Sequence, residues 1–150
     1  MKLELSEAQY RALTKLVFLG NWIANSTKLK DEQNLEMEEL EQLIYSYSYE
    51  FEMNDLIEFD EKFNEYFPTR KFEEQLENFI DDYDNFNFWQ ELSSRLARRD
   101  LINEIGPVSK LTDRHKEREF EIEETYENEF EKNGLKNLVL KEPDKRGKLK

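Results

Sequence analysis

The spacing of apolar residues constrains the fold of this chain most strongly, because it repeats at helical intervals over nearly the whole length. Only four glycines and three prolines occur among the 150 residues. Period-two runs bounded by turn residues, which would indicate strands, are not evident. The sequence therefore predicts an all-α fold, a single-domain bundle or an irregular array of about six helices over residues 1–140. Residues 141–150 are expected to form a basic, flexible tail.

Helix-start signals place the first two helices. Ser6 and Gln9 match the capping-box pattern, which predicts a helix over residues 7–25. Asn34 is a favourable N-cap for a second helix, whose apolar stripe runs through residues 37–51. Each of these helices has residues at intervals of three and four on one apolar face. We therefore expect both helices to pack through such a face.

The middle of the chain predicts three further helices separated by breakers. The third covers residues 55–67 and ends before Pro68, since the residue that precedes proline is biased away from helix. The fourth covers residues 70–83 with a Thr cap before it, and residues 84–87 form a break or a kink. A fifth helix follows at residues 88–105. A sixth helix begins after the N-cap residue Thr112 and ends at Gly134.

Composition indicates an ordered domain with a strongly acidic surface. The charged fraction is 38%, well above the usual ~25%, which by itself would suggest disorder. Disordered segments are poor in aromatic residues, however, whereas this chain has eleven Phe, seven Tyr and two Trp. Each aromatic side chain buries about 150–250 Å², so a sizeable core can form from few positions.

The negative charge is concentrated in one stretch of the chain. The formal net charge is −13, and residues 31–91 alone contain twenty Asp and Glu against three Lys and Arg. Nucleic acids and anionic lipids are polyanions, so we expect neither direct nucleic-acid binding nor membrane binding. A basic protein is the partner that such a stretch would attract. The candidate acidic interaction face consists of Glu38, Glu39, Glu41, Glu58, Asp60, Glu61, Glu73, Glu74, Glu77, Asp81, Asp82 and Asp84.

Three arginines of the predicted fifth helix form a second candidate cluster. Arg95, Arg98 and Arg99 lie within one and a half helical turns. Together they could hold a phosphate or a carboxylate of a partner. They could equally form ion pairs within the chain, because Glu91 precedes Arg95 by four residues. The sequence leaves both alternatives open.

Residues that carry catalytic or metal chemistry are scarce. The chain has no cysteine, and His115 is its single histidine, which we expect to pair with Glu119 on the same helical face. The acidic run after residue 80 fails the EF-hand template, since Asn87 and Ser93 occupy the positions of the required Gly and Glu. Phosphate-binding loops, nucleophile elbows and zinc-protease motifs do not occur in the sequence. We therefore expect no cofactor, no metal and no enzymatic activity.

Two functional hypotheses follow. The first is a non-enzymatic protein–protein interaction module that binds another protein or itself through an apolar or aromatic face. The alternative is an acidic inhibitor, such as an antitoxin, an immunity protein or a nucleic-acid mimic, that neutralises a basic partner through residues 31–91. Because cysteine is absent and the first residues lack a signal-peptide pattern, we expect a cytoplasmic location.

Overall fold

The computed structural model describes residues 4–139, and within them the chain is mostly helical. The all-α prediction is confirmed, whereas the basic tail at residues 141–150 lies outside the described residues. The elements in chain order are α1 (Glu7–Asn25), a 3₁₀ helix (Lys30–Glu32), α2 (Leu35–Tyr45), β1 (Ile57–Asp60), β2 (Glu65–Pro68), α3 (Arg70–Glu73), α4 (Glu77–Ile105) and α5 (Asp113–Asn133). No helix in this part of the chain combines the length and the hydropathy that crossing a membrane would require.

The chain divides into two compact units, Met1–Asp81 and Asp82–Lys150, and the division falls within α4. Each unit is described separately below. The grouping of residues 1–140 into one domain stays a prediction.

The first unit is built on the antiparallel pair of α1 and α2. The Ser6 hydroxyl accepts a hydrogen bond from the Gln9 N–H (3.3 Å), and the Gln9 side chain accepts one from the Ser6 N–H (2.9 Å). This capping box begins α1 at the predicted residue. Asn34 caps α2 as predicted, since its side chain accepts from the Met37 N–H (3.4 Å). The helix ends at Tyr45, however, six residues before the predicted stripe ends.

The core of the first unit is aromatic. Tyr45 and Phe72 are fully buried, and their rings meet edge to face at 6.5 Å. Phe18 of α1 meets the same Phe72 ring at 5.6 Å. Because α2 ends early, Phe51 turns back and stacks on the Tyr10 ring at 4.0 Å. The core therefore joins α1 and α2 to the α3 segment that follows the hairpin.

The predicted third helix is wrong, because residues 57–68 form an antiparallel β-hairpin in which Phe59 pairs with Tyr66. The cause is local turn chemistry. The Asp60 carboxylate accepts from the N–H groups of Lys62 (2.8 Å) and Phe63 (3.3 Å), and Asn64 adopts a left-handed backbone with φ 57°. These bonds stabilise a reversal that apolar spacing alone does not indicate.

The predicted fourth helix and the break after it are also wrong. α3 ends at Glu73. In the tighter turn that follows, backbone N–H groups donate to carbonyl groups three residues earlier, and both Phe72 and Leu76 are buried there. α4 then runs without interruption to Ile105. Side chains at the predicted break bond within the helix instead of breaking it: Asn87 donates to the Tyr83 carbonyl, and Asn85 accepts from the Trp89 indole.

The second unit consists of the later part of α4 and α5. Ala97, Leu101 and Ile122 form its small buried core. Gly106 ends α4 with φ 77°, a left-handed conformation that favours glycine, and Thr112 caps α5 as predicted. The buried cluster here has three residues against seven in the first unit, so this unit has the thinner core of the two.

Candidate interaction surface

A directional chain of buried hydrogen bonds fixes how α1 and α2 pair. The Asn34 N–H donates to Asn25 Oδ1 (2.6 Å), and Asn25 Nδ2 donates to Asn21 Oδ1 (2.7 Å). Asn21 Nδ2 then donates to Glu41 Oε2 (2.7 Å), while the Tyr45 hydroxyl donates to Glu41 Oε1 (3.0 Å). Because the backbone N–H of Asn34 can only donate, the amide oxygens of Asn25 and Asn21 accept and their NH₂ groups donate. Residue 41 must therefore accept from Asn21.

Glu41 therefore belongs to the interior of the unit and not to its surface. It is only 9% exposed, and burial raises the pKa of its carboxyl group, an effect that the hydrogen bonds from Tyr45 and Asn21 partly oppose. A cavity of about 300 Å³ beside it is lined partly by Phe18, Trp22 and Asn25. Since the polar atoms of the network bind one another, we assign the network a structural role in aligning the two helices.

The core contacts show which sides of α1 and α2 face the rest of the unit. Phe18 points to Phe72, and the Gln42 amide exchanges two hydrogen bonds with the Tyr66 backbone (2.7 and 2.8 Å). A residue two positions away on a helix lies about 160° around its axis. Leu16 and Gly20, two positions from Phe18, and Leu40, two positions from Gln42, therefore lie on the outward sides of their helices.

Six exposed, uncharged residues form what we call the outer face: Leu16, Gly20 and Ile23 of α1, Leu40 and Leu43 of α2, and Tyr47 in the turn that follows α2. The five side chains beyond glycine are 44–66% exposed. None of the six residues carries a charge, although 38% of the chain is charged. The apolar stripes predicted for α1 and α2 thus extend onto a solvent-exposed surface. An apolar surface held on two aligned helices is typical of an interaction site.

Gly20 lies near the middle of the α1 half of the outer face. Glycine within a helix costs about 0.5–1 kcal/mol relative to alanine. An added Cβ at Gly20 would meet no heavy atom within 4 Å in the described part of the chain. Packing within residues 4–139 therefore does not account for glycine at this position.

Aromatic exposure extends beyond the outer face. All twenty aromatic residues lie within residues 4–139, and ten of them are exposed. In the first unit they include Phe59, Phe63 and Phe67 of the hairpin, which are 36–57% exposed. The interaction-module hypothesis requires such exposure, because it needs aromatic or apolar side chains left over once the core is filled.

The residues of the candidate acidic face are distributed over several elements. Glu38, Glu39 and the buried Glu41 belong to α2; Glu58, Asp60 and Glu61 to β1 and the hairpin turn; Glu73 and Glu74 to the end of α3; and Glu77, Asp81, Asp82 and Asp84 to the start of α4. Asp82 and Asp84 fall in the second unit. Arg70 pairs with Glu74 (2.8 Å), so part of this charge is also neutralised locally.

The three arginines have partners within the second unit. Arg95 pairs with Glu91 (2.8 Å), Arg98 with Glu119 (2.6 Å) and Arg99 with Asp100 (2.8 Å). The Arg99 guanidinium and the Tyr126 hydroxyl hold the pKa of the Asp100 carboxyl below its usual range. Two of the three ion pairs lie within α4, whereas the Arg98–Glu119 pair and the bonds of Tyr126 with Arg99 and Asp100 connect α4 to α5. The arginine cluster therefore stabilises the second unit.

His115 differs from its predicted arrangement. Its Nδ1 accepts from the Thr112 N–H (3.4 Å), and its own N–H donates to the Thr112 hydroxyl (3.3 Å). Glu119, its predicted partner, pairs with Arg98 instead. His115 therefore takes the position of the acidic residue in a capping box at the start of α5.

One sequence signal could have located the outer face. Residues 16–27 form a run of twelve without a single charged residue, in a chain where more than one residue in three is charged. A helix with one buried face normally has charged residues on the other.

Comparison of the chain with protein-family models, with curated proteins and with solved structures found no match.

Proposed function

We propose that this protein is a non-enzymatic, cytoplasmic protein–protein interaction module that binds through the outer face. The observation that carries the proposal is the exposure of an uncharged surface on the α1–α2 pair, where Leu16 is 66% and Ile23 is 58% exposed. Covering apolar surface contributes about 25 cal/mol per Å² removed from water. A partner with a matching apolar surface would therefore gain free energy by docking here.

The construction of the helix pair supports the same proposal. Both helices are held in place without a partner. The contacts that hold them are the capping box at Ser6, the Asn34 cap and the hydrogen bonds from Asn25 to Glu41. Binding to a fixed surface costs less ordering entropy than binding to a mobile one. The outer face thus has the properties of a preorganised docking site.

The acidic-inhibitor function is the competing proposal, and the concentration of carboxylates in residues 31–91 favours it. A partner held by charge weakens as salt shortens the Debye length, from ~10 Å at 0.1 M to ~3 Å at 1 M. A partner held by apolar contact resists salt. Salt sensitivity and dependence on the outer face therefore separate the two functions.

The test is capture of partners from native lysate by three immobilised forms of the full chain. The forms are the unmodified chain, Leu16→Glu and the matched control Phe120→Glu, whose side chain on α5 is 68% exposed. Both substitutions replace an exposed apolar residue with the same charge, so folding and net charge stay comparable. Each bait is washed at about 50 mM and about 500 mM salt.

We expect a protein that the unmodified chain and Phe120→Glu retain at the higher salt and that Leu16→Glu does not retain, since a charge desolvated in an apolar interface is costly. Equal retention by all three baits would contradict the role of the outer face. A basic protein released from every bait at the higher salt would favour the acidic inhibitor.

A further inference from the structure

We propose that the second unit has a binding site for a small aromatic cation that carries a hydroxyl group at its opposite end. The site is an open cavity of about 510 Å³ between α4 and α5, a volume within the range of small-molecule sites. It lies wholly within the second unit, so the inference goes beyond the proposed function and does not depend on the outer face. The lining side chains that carry the argument are Trp89, Ser93, Glu124, Glu127, Phe130 and Glu131.

A buried hydroxyl group on α4 faces this cavity. Trp89, Ser93 and Ala97 follow one another at intervals of four residues, so they lie on the same side of α4. That side faces α5, because the Trp89 ring lies 5.4 Å from the Phe130 ring and Ala97 belongs to one buried cluster with Ile122. Ser93 is 1% exposed, and its hydroxyl is the one buried side-chain polar atom without a hydrogen-bond partner in the described part of the chain.

The helix itself does not explain the serine at position 93. A serine inside a helix ordinarily bonds the carbonyl four residues earlier or points to solvent, and Ser93 does neither. Alanine would favour the helix and occupy the same place without burying a polar group. A buried hydroxyl that faces a cavity is instead suited to a ligand atom that completes its hydrogen bond.

Carboxylates surround the opening of the cavity. Glu124, Glu127 and Glu131 are spaced by three and four residues, which places them on one side of α5. All three are exposed, whereas Ser93 and Phe130 are buried, so the carboxylates form the mouth and the buried pair forms the floor. Among residues 4–139 no lysine or arginine lines the cavity. Like charges at this spacing repel one another, so a cation at the mouth is favourable.

The mouth and the floor together define the chemistry of the ligand. An ammonium group at the mouth can donate to the carboxylates and interact with the face of the Trp89 ring. A flat apolar body can pack against Trp89 and Phe130. A hydroxyl at the far end can exchange a hydrogen bond with Ser93, because both groups donate and accept. An arylalkylamine with a phenolic hydroxyl has these three groups in this order.

The test is calorimetric titration of the full chain with tyramine and with phenethylamine, which lacks only the hydroxyl. We expect tyramine to bind about fivefold more tightly, because it alone completes the hydrogen bond of Ser93. Ser93→Ala should abolish this difference by weakening the binding of tyramine alone. The compound 3-(4-hydroxyphenyl)propionate has a carboxylate in place of the amine and should not bind.

Thermal stability of the ligand-free chain provides a second readout. Ser93→Ala should raise the melting temperature, because it removes an unbonded buried hydroxyl and alanine favours helix. Ser94→Ala is the matched control, since Ser94 is exposed on the same helix. It should raise the melting temperature less and leave the affinity for tyramine unchanged. A lower melting temperature for Ser93→Ala would mean that the hydroxyl is already bonded, which would overturn its assignment to a ligand.

Charge-removing substitutions test the mouth of the cavity. Glu124→Gln and Glu127→Gln should each weaken both amines by a similar factor of about threefold. Glu117→Gln, the same change at an exposed position of α5 outside the cavity, should leave both affinities unchanged. Equal affinity of the unmodified chain for the two amines would overturn the role of Ser93. Absence of binding by both amines at about 10 mM would overturn the site, and neither result would bear on the outer face.

Discussion

Phe72→Ala is expected to lower the free energy of unfolding of the first unit by about 3–5 kcal/mol. Phe72 is fully buried and contacts the rings of Phe18 and Tyr45, so its removal leaves a cavity where α1, α2 and α3 meet. Urea denaturation followed by tyrosine and tryptophan fluorescence gives the loss of stability. Hydrogen exchange resolved by peptide assigns the loss to residues 7–73.

The matched control is Phe120→Ala, which removes an equally large ring that is 68% exposed on α5. A substitution at such a site changes stability by about 0.5 kcal/mol or less. A loss below about 1 kcal/mol for Phe72→Ala would show that the three elements do not share this core.

Glu41→Leu is expected to destabilise the first unit by about 2–4 kcal/mol, although it replaces a buried charge with an apolar side chain of similar size. The Tyr45 hydroxyl and the Asn21 amide both donate to the Glu41 carboxylate, and each unsatisfied buried donor costs about 1–3 kcal/mol. Relief of the carboxylate's own burial offsets part of this cost. The same denaturation experiment measures the difference.

Glu41→Gln is the matched control for the hydrogen-bond chain. Its oxygen can still accept from Asn21, and its amide can donate to the Tyr45 oxygen once that hydroxyl rotates. We therefore expect Glu41→Gln to be much less destabilising than Glu41→Leu. Equal effects would indicate that the network contributes nothing beyond the volume of the side chain.

Helix starts could be predicted from the sequence where a short polar side chain precedes the first turn. Ser6 with Gln9, Asn34 and Thr112 each begin a helix as predicted, because their side chains satisfy N–H groups that the helix itself leaves unbonded. These interactions span three residues, so the sequence alone contains them. The all-α fold follows from the same local signals.

The failures arose where apolar spacing agreed with more than one structure. Phe59, Phe63 and Phe67 are spaced as on a helix, yet the bonds of Asp60 and the left-handed Asn64 turn this segment into a hairpin. Asn85 and Asn87 resemble a break but bond within α4. In each case a side-chain hydrogen bond decided between two backbones that the apolar pattern allows.

The sequence predicted the apolar stripes that contribute to the outer face but not their exposure to solvent. The stripes of α1 and α2 appeared in the sequence as helix-forming patterns, but the core also uses Phe18 and Tyr45, which lie outside those stripes. A helix that is apolar on two sides does not reveal which side is buried. That choice depends on Phe72, which lies far along the chain, and so required the tertiary structure.

The central claim is tested most directly by carbene footprinting of the full chain under three conditions. The chain is labelled pure and dilute, pure and concentrated, and in native lysate. We expect labelling of Leu16, Ile23 and Leu40 to fall in the concentrated sample or in the lysate, while labelling of Phe120 stays constant. Protection in the concentrated sample indicates a second copy, and protection in lysate alone indicates a different protein. Unchanged labelling of the outer face under all three conditions would contradict its role as a docking surface.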